Sequence, residues 1–144
     1  MQSKGLLLIS ALMLTLGCSK DNASTAPTIA IKSYTNTVNN DGNGFSAVLS
    51  FSQSGGNISG DSLVIIERRY NQSYASEHTD TFPTRLAFTP TASKAEFTAR
   101  LAWDFIQYGN QDENDTVDFR FVLIDQNLKH SDTVVTGKVI IYQF

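Results

Sequence analysis

Asp115-Thr-Val-Asp-Phe-Arg-Phe-Val-Leu-Ile-Asp125 decides the fold. Val117, Phe119, Phe121 and Leu123 alternate with Asp118, Arg120 and Val122. A period of two places one set on the core face of a β-strand and the other nearer solvent. The same period governs Phe45, Ala47, Leu49 and Phe51 against Ser46, Val48, Ser50 and Ser52. Leu63-Val-Ile-Ile66 is apolar on both faces, as a central strand is. Thr133–Tyr142 reads as a long last strand interrupted by Gly137, and Ile29–Tyr34 and the weaker Thr79–Phe82 complete the set. Asn39–Gly44, Gln53–Asn57 and Asp125–Lys129 are turn-rich connections. About seven short strands in one domain predict an all-β chain, an immunoglobulin-like antiparallel β-sandwich. The Cys…Trp…Cys spacing of antibody domains is absent, so the prediction rests on periodicity alone.

The segment 93–108 carries two periods. Ser93-x-x-Glu96 fits a capping box, and Phe97, Leu101, Phe105 and Tyr108 recur at helical spacing. Phe97, Ala99, Leu101, Trp103 and Phe105 also alternate strictly with polar or small residues, which favours a strand through Trp103. In either reading Trp103 is expected in the core.

The N-terminus speaks to location. Lys4 precedes an apolar run from Gly5 to Gly17, about thirteen residues, followed by Cys18, the only cysteine. The run has the length of a signal-peptide core and falls short of the roughly twenty residues a membrane-spanning helix needs. Gly17-Cys18 resembles the end of a bacterial lipoprotein signal, in which the cysteine is acylated and becomes the first mature residue. Thr15 and Leu16 fit that pattern loosely. The resemblance implies a signal over 1–17 and lipidation at Cys18, which accounts for a lone thiol in an exported chain. Ser19, where retained lipoproteins usually carry Asp, implies the outer membrane. Lys20-Asp21 is similar to the export tags of surface lipoproteins in Bacteroidota. Residues 18–27 are small and polar, a tether whose reach is ~16 Å for nine flexible residues, and the domain occupies 28–144.

A second resemblance covers roughly residues 28–142. Asp115–Asp125, a polar turn, then Ser131-Asp-Thr-Val-Val-Thr-Gly-Lys-Val-Ile-Ile141 resembles the C-terminal strand pair of small Bacteroidota lipoproteins. Their turn often reads Asp-Arg-Ala-Gly-Asn-Lys-Ser. Here Asp125-Gln-Asn-Leu-Lys-His-Ser131 keeps the Asp and Ser and lacks the Gly. Ser54–Leu63 stands where that family has an acidic, Gly-rich turn. The likeness implies fold and location and leaves activity open.

Composition excludes some functions. Loss of Lys4 with the signal moves the formal charge from -3 to -4. With no clustered Lys or Arg, nucleic acid is not an expected partner. His78 and His130 stand in separate loops and offer no zinc set. Asn39-x-Asp41-x-Asn43-Gly44 imitates the start of a calcium loop, yet Ser50 stands where the bidentate Glu belongs. Asp112, Glu113, Asp115 and Asp118 form a denser acidic group, which could converge on a cation if Asp118 alternates outward. A solvated acidic loop explains the same residues. No Gly-x-Ser-x-Gly elbow occurs, and no pair of the fourteen acids suggests a cleft. No enzyme and no cofactor are therefore expected.

Recognition features remain. Glu67-Arg-Arg-Tyr-Asn-Gln-Ser-Tyr74 follows a core strand, and Arg68, Arg69, Tyr70 and Tyr74 are residue types favoured at binding hot spots. The alternative is a strand end whose long side chains cover apolar surface. Asp61-Ser62, Asp115-Thr116 and Asp132-Thr133 resemble the O-glycosylation acceptors of Bacteroidota, at Ser62, Thr116 and Thr133, though turns entering strands favour these residues anyway. The expected protein is an outer-membrane lipoprotein binding a protein or glycan. A structural accessory subunit of an envelope complex and a weak metal-dependent hydrolase are the alternatives.

Overall fold

The computed structural model describes residues 26–53, 60–70, 79–85, 93–106 and 113–142. Alternation becomes strand at β1 (Thr28–Tyr34), β2 (Thr37–Val38), β3 (Phe45–Ser52), β4 (Ser62–Arg69), β5 (Thr79–Arg85), β6 (Lys94–Leu101), β7 (Asp115–Ile124), β8 (Val134–Val135) and β9 (Val139–Ile141). A single helical turn, α1, spans Trp103–Ile106. One sheet has the order β1-β3-β6; the other runs β2-β9-β7-β4-β5, with β8 also on β7. The two pack as an all-β, immunoglobulin-like sandwich. Counting β8 and β9 as halves of one broken strand makes about eight strands where the sequence suggests seven. The extra one is β2, whose two residues are too few for periodicity to show.

The core forms where inward faces meet. Phe45 of the smaller sheet stacks on Phe119 of the larger, ring centroids 3.9 Å apart, with Phe121 at 6.5 Å. Leu49, Leu63, Ile65, Val117, Leu123, Val139 and Ile141 are buried around them. Burying each such side chain contributes on the order of 1.5–3 kcal/mol.

Two irregularities interrupt the ladders, and the first carries the chain from one sheet to the other. The β1–β3 register shifts between Ile31 and Ser33, a bulge after which the chain leaves the smaller sheet and pairs as β2 parallel to β9. The β7 register also slips by one residue between Val135 and Val139. In that gap the Gly137 N–H donates to Tyr34 Oη at 3.0 Å, and a Cβ on Gly137 would lie 2.6 Å from that oxygen. A side chain at this position would have to push the Tyr34 hydroxyl aside and so disturb that bond. Thr136 mends the ladder, exchanging backbone and hydroxyl bonds with Phe119 at 2.9 and 3.0 Å.

Segment 93–108 resolves partly as a strand. β6 ends at Leu101, two residues before the expected limit, and Trp103 opens α1 instead. Helical spacing turns Trp103 and Ile106 together into the core and leaves Phe105 exposed. The capping-box reading is not realised, because Lys94–Leu101 pairs residue by residue with β3. Residues 107 and 108 lie outside the described residues.

The turn between β7 and β8 keeps its shape through its first and last residues. Asp125 Oδ1 accepts from the N–H groups of Asn127 and Lys129, each at 2.8 Å. Ser131 Oγ accepts from Leu123 N–H at 2.9 Å. Leu128 has φ 60° and is 78% exposed.

Candidate binding surface and the charged ends of the core

β4 runs through Arg69, three residues past the apolar stretch that announced it. Its odd positions face the core, so Asp61, Leu63, Ile65, Glu67 and Arg69 form one buried stripe, and its even positions face out. Parity therefore separates the two arginines. Arg69 is buried, which corrects its expected place on a recognition surface; Arg68 lies half-buried on the outer face. Tyr74 lies outside the described residues.

Tyr70 continues the outer face just beyond β4 and is 39% exposed. Its backbone N–H donates to Thr116 O at 2.9 Å, holding it against β7. The ring sits between two cations: the Arg68 guanidinium and the Lys138 ammonium each lie 5.3 Å from its centroid. Each contact is worth about 0.5–1 kcal/mol at an exposed site. The Tyr70 hydroxyl donates to Asp118 Oδ2, and Arg120 Nε donates to Asp118 Oδ1 at 3.0 Å. The bond to Asp118, then burial, raises the Tyr70 pKa above its ordinary value, so the phenol stays protonated as donor. The same carboxylate raises that of Arg120.

Asp118 is on the outward parity, as the cation-site reading requires, but it is only 4% exposed because Tyr70 and Arg120 hold it. Asp115 is also buried and pairs with Arg69 Nη1. These commitments take two of the four expected cation ligands away from an open site. Glu113 is half-buried, and Asp112 lies outside the described residues. Among the described residues no group of three or more His, Cys, Asp or Glu side chains could hold a metal ion. The calcium-loop imitation is an Asx turn: Asp41 Oδ1 accepts from Asn43 N–H at 2.9 Å, which lowers the Asp41 pKa. Gly44, with φ 64°, is fixed there because a Cβ would lie 2.1 Å from Leu101 O.

At the α1 end of the buried stripe, Arg69 gathers three oxygens. Its Nη1 contacts Asp115 Oδ2, and its Nη2 lies 3.0 Å from Glu67 Oε1 and donates to Ile106 O at 2.7 Å. One guanidinium thereby offsets two buried carboxylates and anchors the end of α1. Reading the charged run as a strand end hid this cluster; extending the odd parity by two steps would have found it.

Of the expected glycosylation acceptors, Thr133 is exposed, while Ser62 and Thr116 are half-buried in paired strands. Cys18 lies outside the described residues, among which no helix is long and apolar enough to cross a membrane. Comparison with known protein families and with curated proteins finds no match.

Proposed function

We propose that the protein is a lipid-anchored binding module of the outer membrane, held through Cys18 and acting by recognition rather than chemistry. The observation that carries the recognition half is Tyr70: an exposed ring between Arg68 and Lys138, its hydroxyl fixed by Asp118. A ring immobilised before binding loses little freedom on binding, and Tyr with Arg is the composition of interface hot spots. Arg68 and Lys138 flank the Tyr70 ring and Arg120 holds Asp118, which sets three cations on this face of a chain of formal charge -3. That complementarity favours an acidic partner, a protein or a glycan bearing carboxylates. Most of the remaining outward positions of β4 and β7 are half-buried Val64, Ile66, Val122 and Ile124, which would extend the contact.

The two halves are tested separately. Metabolic palmitate labelling of wild type against Cys18→Ala tests the anchor, and an unlabelled, freely soluble wild type would remove it. For recognition, detergent-solubilised protein is used for pull-down from membranes and on an array of acidic glycans. Tyr70→Ala should weaken capture at least tenfold, about 1.4 kcal/mol, with the circular dichroism spectrum unchanged. Equal capture by Tyr70→Ala would move the site elsewhere.

A further inference from the structure

The buried stripe of β4 and β7 ends, opposite Arg69, in two aspartates. Ser62 pairs with Ile124 in the last step of the antiparallel ladder, so Asp61 and Asp125 are the next opposed positions. Both share the core-facing parity of Leu63 and Leu123, and they are 0% and 2% exposed. Like charges directly opposite one another weaken a ladder, and burial strengthens their repulsion. Among the residues whose side chains the structure describes, no Lys, Arg or His nitrogen forms an ion pair with either carboxylate. Burial first, and the charge of Asp125 second, raise the Asp61 carboxyl above its ordinary value, against the Gln126 backbone N–H, which lowers it.

Gln53, one residue beyond β3, reaches the pair from the facing sheet. It is 9% exposed, and its Nε2 lies 3.5 Å from Asp125 Oδ2. Its Oε1 has no hydrogen-bond donor, and the Asp61 carboxylate, although it feels the Gln126 backbone N–H, completes no hydrogen bond. Asp125 Oδ1 already serves Asn127 and Lys129, so Oδ2 is the oxygen turned to Gln53. Three buried oxygens without completed hydrogen bonds thus stand at one mouth of the sandwich, and such groups are rare in native cores unless an ordered water or an ion completes them.

We propose that Gln53, Asp61 and Asp125 form a binding site for a divalent cation of the calcium class. Carboxylate and carboxamide oxygens are hard donors, and the absence of imidazole and thiolate from the set disfavours zinc and copper. A half-turn of the Gln53 amide exchanges its nitrogen for Oε1 beside Asp125, since the two ends have the same shape. Backbone carbonyls and water complete a shell of about six to eight oxygens. A cation there offsets the repulsion and ties the two sheets together where β1 also begins, Thr28 being paired with Ser52. This site is independent of the Tyr70 surface, which lies at the other end of β4.

The test is thermal melting of the detergent-solubilised full chain, stripped with a chelator and titrated with CaCl2 or MgCl2 at neutral pH. CaCl2 should raise Tm with the logarithm of its concentration above Kd, by about 5–10 °C at a hundredfold excess, and by more than MgCl2. Calorimetry should count one calcium per chain. Asp61→Asn should melt above the stripped wild type and lose the calcium response. Asp125→Asn keeps an acceptor for the two turn N–H groups and should lose it too; if it fails to fold, Asp61→Asn decides. Tyr70→Ala should respond as wild type does. A wild type indifferent to calcium, or a shift that survives Asp61→Asn, overturns the proposal.

Discussion

At one end of the sandwich Glu67 and Asp115 share the guanidinium of Arg69, which also holds the Ile106 carbonyl. At the other, Asp61 and Asp125 stand opposite each other with the Gln53 carboxamide beside Asp125 and, among the residues whose side chains are described, no arginine paired with them. The same two strands supply both pairs, at matching depth. A buried carboxylate needs a positive partner or a proton, because the interior screens its charge poorly. One end carries its partner in the sequence. The other leaves the position to a proton or, as proposed above, to a cation from solution. The first end therefore carries its own counter-charge in Arg69, and the second responds to its surroundings.

Removing the built-in cation should have the largest effect. Arg69→Met leaves Glu67 and Asp115 buried without their guanidinium and should cost about 3–5 kcal/mol in urea unfolding. A loss below about 1 kcal/mol would mean that water already reaches this end, and the contrast would collapse.

The opposite end should answer with the opposite sign. Asp61→Asn removes one of two facing charges and should stabilise the chelator-treated protein at neutral pH by about 1 kcal/mol. The pH dependence follows from the raised Asp61 carboxyl. The folded state takes up this proton more readily than the unfolded chain, so stability is gained as pH falls through the raised value toward the ordinary one. It is lost again as pH rises. The advantage of Asp61→Asn over wild type should therefore shrink on acidification from neutral pH. A constant advantage would show that Asp61 does not titrate abnormally.

On the outer face, Tyr70→Phe tests whether Asp118 belongs to either pattern. Loss of the phenol donor should cost about 1 kcal/mol while leaving the calcium response untouched. A lost response would couple this face to the distant mouth. The smallest effect is expected at Leu128, where a branched side chain sits in left-handed backbone. Leu128→Gly relieves about 1 kcal/mol of strain, less the greater freedom glycine gives the unfolded chain. A small rise in Tm is expected, and a fall would show that Leu128 packs somewhere despite its exposure.

Much of the sandwich was legible because alternation is local. Val117–Leu123 and Phe45–Phe51 announce their own core faces, and Asp125 and Ser131 mark a turn by chemistry that acts within a few residues. The charged ends were not legible for a related reason. Glu67 and Arg69 stand on the core parity of β4, but charge at such positions reads as the end of a strand. Asp61 and Asp125 read as turn residues, which Asp125 indeed is. Of the expected binding residues, Tyr70 is exposed and Arg68 half-buried on the outer face, whereas Arg69 is buried.

By itself the sequence determined the class of fold, the strands long enough to show a period, and the turns that join them. It also carries the motif at Cys18 on which the proposed anchor rests. Tertiary structure alone decided which charges meet. The β4–β7 register sets Asp61 opposite Asp125, and a helical turn after β6 brings the Ile106 carbonyl to Arg69. Those partners are dozens of residues apart in the chain, and strand pairing in register is what converts a local alternation into a shared buried site.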